Sequence, residues 1–152
     1  MQRLRRFLFT VLGLLFRHPL TGVTLLVRLP DERLILVRRQ DDGKWSLPGG
    51  FVDWGESVPQ AARRELWEET GLELLEISRL VGIYSAADRD PRGIHSISLV
   101  LEIQAVGLPQ IQDGLELSEI GAFKLSELPR GHLSHDHDRQ LQNYLANQVT
   151  VA

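Results

Sequence analysis

Three glutamates, Glu65, Glu68 and Glu69, stand at i, i+3 and i+4 in one short stretch of the chain. On an α-helix, at about 100° per residue, they share one narrow face. Like charges at this spacing repel by roughly 0.2–0.5 kcal/mol per pair. They also sit toward the C-terminal half of the helix, where its dipole disfavours negative charge. A solvated acidic face is the plain reading of such a cluster. A divalent cation is the chemical one, because hard cations take oxygen ligands, carboxylates above all. Glu56, just before the helix, adds a fourth acid, and Arg64 is placed to pair with one carboxylate and hold its rotamer.

The elements that must position these acids are legible around them. Thr21 to Leu29 reads as a strand, Pro30-Asp31-Glu32 as a turn, and Arg33 to Arg39 as the returning strand of a hairpin. Asp41-Asp42-Gly43 is a loop, and Leu47-Pro48-Gly49-Gly50 a sharp backbone feature. The helix starts at Ser57 or Val58, with Pro59 in its first turn, and runs through Ala61, Ala62 and Leu66 to Thr70. Gly71 ends it in the left-handed conformation. Leu74 to Tyr84, Ile94 to Val106 and Ile120 to Leu125 read as strands, with Ser85 to Gly93 as a loop between the first two. Leu141, Tyr144, Leu145 and Val149 give Asp136 to Gln148 helical spacing. Strands and helices mix without strict alternation, which points to a mixed sheet covered by helices.

The segment Gly50 to Leu72 decides between the two readings of the acids. Gly50, then Glu56, then Arg64-Glu65-Leu66-x-Glu68-Glu69-x-Gly71-Leu72 resembles the signature of the Nudix hydrolases at every fixed position. Trp45-Ser46-Leu47-Pro48-Gly49-Gly50 resembles the family's lead-in, and Phe123-Lys124-Leu125-Ser126-Glu127-Leu128-Pro129 its usual C-terminal segment. The resemblance covers roughly residues 20 to 145. It implies an α/β (α+β) fold, an α/β/α sandwich around a mixed central sheet, over a domain of residues 20–152. It also implies Mg²⁺ or Mn²⁺ as cofactor and cleavage of the pyrophosphate of a nucleoside diphosphate derivative. Carried over residue by residue, Glu65 and Glu69 are the principal metal ligands, Glu68 shares, the Gly49 carbonyl joins them and Glu56 is an outer ligand. Glu65 or Glu68 within the signature, or a later acid, takes the proton of the attacking water. The later acids are Glu116 and Glu119, and Glu119 is preferred because it stands nearer the expected strand.

Substrate contacts follow from the same resemblance and from charge. Asp88-Arg89-Asp90-Pro91-Arg92-Gly93 resembles a segment of the family's ADP-ribose pyrophosphatases, so Arg89 and Arg92 are candidates for ribose or phosphate oxygens. Arg38 and Arg39 are candidates for phosphates, and Trp45, with Phe51 and Trp54, for stacking on a base. The chain departs from the ADP-ribose marker, a proline past the signature, where it has Ala86 and Ala87. ADP-ribose or a related ADP-sugar is the expected substrate. Modified nucleoside triphosphates are the alternative, and a non-catalytic nucleotide-sensing module is the alternative of another class. The cluster His132, His135, Asp136, His137 and Asp138 reads as a polar loop capping the last helix through Ser134 or Asp136, rather than as a zinc site.

Bulk properties exclude several classes. The chain has 152 residues, enough for one domain with a core. A net charge of -3 gives no basic excess for a nucleic-acid polymer. The absence of cysteine excludes disulfides and thiol chemistry, and fits a cytoplasmic setting. Residues 1–19 form a separate segment in which Arg3, Arg5 and Arg6 precede an apolar run from Phe7 to Phe16. The run is too short to span a bilayer as a helix. It reads as an element packed on the domain or in a homodimer contact, as a peripheral membrane anchor, or as a signal sequence.

Overall fold

The computed structural model describes residues 18–90, 93–112 and 114–152. Among these the elements are β1 (Leu20–Arg28), β2 (Leu34–Arg39), β3 (Trp45–Ser46), β4 (Gly49–Phe51) and α1 (Val58–Thr70), followed by β5 (Glu73–Tyr84), β6 (Ser96–Val106), β7 (Leu117–Phe123), α2 (His137–Leu145) and β8 (Thr150–Val151). The expectations for residues 1–17 and for Arg92 lie outside the described residues. No helix among the described residues is long and apolar enough to cross a membrane.

β1 is the centre of the sheet. It runs parallel to β6 from Leu20 opposite Ser96 to Arg28 opposite Gln104. It is antiparallel to β4, which sets Gly49 opposite Thr24 and Gly50 opposite Val23. The strand order is β3-β2-β1-β6-β5-β8, with β7 also on β2 and β4 also on β1. The sheet is mixed, as the sequence implied.

Alternation along the strands divides the core into two clusters. Val23, Leu25, Val27, Leu101 and Ile103 pack with Ala61, Ala62 and Leu66 of α1. Leu26, Leu34, Leu36 and Val100 pack with Leu141 of α2, and Tyr144 joins them. The two helices therefore cover opposite faces of one sheet. Leu66 is wholly buried, and truncating it to alanine would cost about 2–5 kcal/mol. Between α2 and the sheet lies the buried carboxylate of Glu102. It accepts from Arg79 Nε at 2.6 Å, Tyr144 Oη at 2.8 Å and Arg28 Nη1 at 3.1 Å. Burial opposes the charge, but these three donors hold the carboxyl below its usual range. β1, β5, β6 and α2 are thereby joined at one point.

α1 forms as its sequence dictates. Gln60 Oε1 accepts the Ser57 N–H at 2.8 Å at the start. Gly71, at φ 65°, closes the end, its N–H bonded to Trp67 O at 2.8 Å. Elsewhere the boundaries move. β7 begins at Leu117 rather than Ile120, and α2 spans His137–Leu145 rather than Asp136 to Gln148. Pairing with β2, from Leu34 opposite Phe123 to Arg38 opposite Glu119, draws two polar residues into β7. β3, β4 and β8 are two- and three-residue strands that no periodicity announces.

Candidate active site

A cleft of about 380 Å³ opens where β4 meets α1 and the end of β1. One wall is acidic. Glu65, Glu68, Glu69 and Glu116 line it, with Gly49 and Gly50. At Gly50 a Cβ would push the Glu65 carboxylate from its place. Gly49, at φ 148°, has Val23 O where a Cβ would stand. Two successive glycines let β4 press between β1 and the acidic face of α1.

The acids differ in setting. Glu69 is buried, and its Oε2 accepts the Gly49 N–H at 2.8 Å. Burial pushes its carboxyl up to about 8, and the charge of Glu65 adds to this, against the Gly49 bond. Glu65 is also raised, first by burial, although Arg64 opposes the shift. Glu68 is half exposed. Glu56 lies off the cleft and is held low by Arg64 and by the Asp53 N–H.

Arg64 gathers three of these acids. Its Nε and Nη2 donate to Glu56 at 3.0 and 2.8 Å, and its Nη1 to Glu65 at 2.8 Å and Glu68 at 3.2 Å. Nη2 also donates to Phe51 O at 2.9 Å. These carboxylates, Glu56 first, keep the guanidinium firmly charged. Among the described residues no three His, Asp or Glu side chains already converge as a preformed cation cage. The donor set nevertheless fits a hard divalent ion. Among the described residues Glu69 is a buried carboxylate whose hydrogen-bond partner is the neutral Gly49 N–H, and a buried acid of that kind calls for a cation.

The other candidate residues separate into two groups. Arg39 and Arg89 line the cleft. Arg39 is tied to Asp41 at 2.7 Å. Arg89 donates to Asp136 at 3.0 Å and Ser96 Oγ at 2.6 Å. Arg38, Trp45 and Glu119 do not line this cleft. Arg38 Nη1 meets Glu119 Oε2 at 3.2 Å, its guanidinium lies 6.0 Å from the Trp45 ring, and Trp45 packs edge-on against Phe123 at 4.9 Å. The pairing of β2 with β7 shifts register between Arg38 and Arg39, and of the two only Arg39 lines the cleft. Of the two later acids, Glu119 lies within β7 opposite Arg38, while Glu116, just before the strand, lines the cleft. Trp54 is fully exposed and Phe51 lines the cleft.

The histidine-rich loop is spoken for one residue at a time. Asp138 accepts the Gly131 and Leu133 N–H groups at 2.6 and 2.9 Å. Asp136 occupies the N-cap of α2 but gives its carboxylate to Arg89 and Gln140. His137 is buried, with Nδ1 3.0 Å from the Leu47 nitrogen and 3.1 Å from Ser46 Oγ. The sequence offered no sign of this contact beyond a histidine near the start of a helix. The segment Ser46–Gly49 is thus held at three points: His137 takes the Leu47 N–H, Pro48 O accepts Leu25 N–H at 2.8 Å, and Glu69 takes the Gly49 N–H.

Comparison with known proteins now bears directly on this cleft. The model of the NUDIX domain matches residues 18–144. The chain belongs to the Nudix family. An ADP-ribose pyrophosphatase of Methanocaldococcus jannaschii is 37% identical over 134 residues, 86% of this chain and 76% of that protein. A MutT Nudix hydrolase from Burkholderia pseudomallei superimposes with a TM-score of 0.72 at 30% identity, covering 83% of this chain and 98% of its own. The Nudix domain of Shewanella oneidensis NrtR, solved in complex with ADP ribose, gives 0.72 at 25% identity, covering 87% and 90%. This Nudix hydrolase therefore carries the fold of the family, and its reaction class is that of enzymes splitting phosphorus-containing acid anhydrides.

Proposed function

We propose that this Nudix hydrolase cleaves the pyrophosphate of ADP-ribose or a related ADP-sugar with the help of Mg²⁺ or Mn²⁺. The observation that carries this reading is the paired placement of Glu65 under Gly50 and of buried Glu69 on the Gly49 N–H, at one wall of a cleft. Glu65, Glu69 and the Gly49 carbonyl would hold the ion, with Glu68 sharing and Glu56 behind Arg64. When bound, such an ion neutralises a pyrophosphate and lowers the pKa of water. Arg64 keeps Glu65 and Glu68 in register. Glu116, just before β7, is the acid that can take a proton from water, with Glu68 as the alternative within α1. Arg39 faces the same cleft as a cation for phosphate oxygens. Similarity to the archaeal ADP-ribose pyrophosphatase supports the choice of substrate.

Similarity to a putative 8-oxo-dGTP diphosphatase of Bacillus subtilis, 43% identical over 63 residues, favours nucleoside triphosphates as a second reading. Purified protein with Mg²⁺ or Mn²⁺ and a panel of ADP-ribose, ADP-glucose and nucleoside triphosphates separates the two. AMP release from ADP-ribose with kcat/KM at least about tenfold above any triphosphate is the expected result. Preference for triphosphates with release of pyrophosphate would overturn it. Turnover that survives Glu69→Gln would remove the metal site itself from the mechanism. The panel also tests the sensing-module alternative, which predicts tight ADP-ribose binding and no product.

A further inference from the structure

Beside the glutamates, the cleft is lined by different chemistry: hydroxyls of β1 and β6, and Asp90, Asp136 and His137. Thr24 Oγ1 and Ser98 Oγ are 2.8 Å apart and buried on its floor, next to Ser96. They continue the sheet face that carries Leu26 and Val100 farther along β1 and β6, so an apolar face becomes a hydroxyl-bearing one where the cleft begins. His137 closes this end.

The hydrogen bonds of His137 fix its chemical form. A backbone N–H can only donate, so Nδ1, 3.0 Å from the Leu47 nitrogen, must present its lone pair. A neutral ring then carries its proton on Nε2. Burial, followed by the nearby cationic groups, pushes the imidazolium down to about 3, so the ring is neutral at physiological pH. His135 packs edge-on to it, at 5.7 Å between ring centres, and restrains its tilt. Nε2 has no protein hydrogen-bond partner among the described residues, and His137, with 9% of its surface exposed, lines the cleft.

We propose that His137 is a specificity-determining substrate contact: an oriented, uncharged Nε2–H donor that the cleft aims at an acceptor oxygen on the sugar or phosphate. A donor held in this way favours a ligand that offers an oxygen acceptor at that place and disfavours one that offers a second donor or a methyl group. It does not repel or attract by charge, so it adds discrimination without adding general affinity for anions. The hydroxyls of Ser98 and Thr24 beside it can each give and accept, which suits the same oxygen-rich ligand. This inference rests on the proposed reading of the cleft as the substrate site.

Nitrogen-15 spectra of the histidine rings in the full wild-type chain test the first half. The expected form of His137 at pH 7 is the neutral Nε2–H tautomer, and an Nδ1–H tautomer or an imidazolium would overturn the proposal. Titration with AMP and, separately, with ribose 5-phosphate distinguishes the source of the oxygen. The Nε2–H resonance should move on saturation with at least one of them. No movement with either, when binding of both is seen by calorimetry, would overturn the contact. Kinetics of His137→Gln and His137→Ala complete the test. In His137→Gln, whose amide oxygen can still accept the Leu47 N–H, KM for the preferred substrate should rise about tenfold with kcat within about threefold, whereas His137→Ala, which leaves that N–H without its acceptor, should lower kcat as well. A fall in kcat with unchanged KM in His137→Gln would instead assign His137 to shaping the Ser46–Gly49 turn alone. Should neither variant fold, the spectra of the wild-type chain decide. Should triphosphates prove the better substrates, the ADP-sugar reading falls, and the same spectra with ATP in a metal-free buffer still decide the role of His137.

Discussion

Replacing Glu69 by glutamine should make the metal-free protein more stable and the enzyme inactive. Glutamine keeps an oxygen for the Gly49 N–H and removes a buried charge. The magnitude follows from linkage. The carboxyl titrates near 4.5 when unfolded and is pushed up to about 8 when folded. Its folded pKa is therefore above its unfolded one, so the stability of the protonated form is complete below about pH 4.5 and is lost as pH rises toward 8. Across that window one proton is linked to folding, and the slope is close to 1.4 kcal/mol per pH unit. By pH 7 the loss reaches about 3 kcal/mol, an upper bound for a group coupled to Glu65. For a chain of this length that corresponds to a rise in Tm of about 6–12 °C for Glu69→Gln. Melting both proteins in EDTA at several pH values measures it. The difference between them should grow from near zero at about pH 4.5 to its full value near pH 8. Adding Mg²⁺ should raise the Tm of the wild type and not that of the variant. An equal or lower Tm for the variant in EDTA at pH 7 would refute the claim that the acid is held at the expense of folding.

Other expectations can be checked separately. Gly50→Ala should leave the fold intact by circular dichroism but lower kcat at least about tenfold, because its Cβ displaces the Glu65 carboxylate. Glu116→Gln should lower kcat about a hundredfold or more, in line with loss of a general base, while Glu119→Gln stays within about twofold of the wild type in the same assay. His137 is neutral in the fold and shifts from 6.5 to about 3, so stability is full above about pH 6.5 and falls below it as the unfolded chain takes up the proton. Urea titrations should show about 2 kcal/mol less loss between pH 6.5 and 5 in His137→Gln than in the wild type.

How much of this was readable from sequence depends on whether the determining contact is local. α1 was legible because Ser57, Pro59 and Gly71 act within a turn of their own positions, and the acids inherit their common face from it. The mixed sheet was legible from the order of strands and helices, which do not strictly alternate. β3 and β4 were not, because two or three residues carry no period and are strands only through pairing with β2 and β1. Arg38 and Glu119 lie off the cleft for a related reason. Their position near the site in sequence was correct, but the direction of a strand side chain depends on register, and register is fixed by a partner strand far along the chain. His137 was missed as a contact because its partner, the Leu47 amide, is 90 residues away and leaves no mark in the side-chain sequence.

The three-point hold on Ser46–Gly49 changes what counts as the minimal enzyme. A fragment ending before residue 132 would retain every signature acid, the glycine pair and Arg64. It would lack the imidazole that receives the Leu47 amide, and with it one of the anchors that shape the peptide facing Glu69. The last helix thus serves the cleft and the core at once, and shortening the chain from that end should cost catalysis together with the cover of one sheet face.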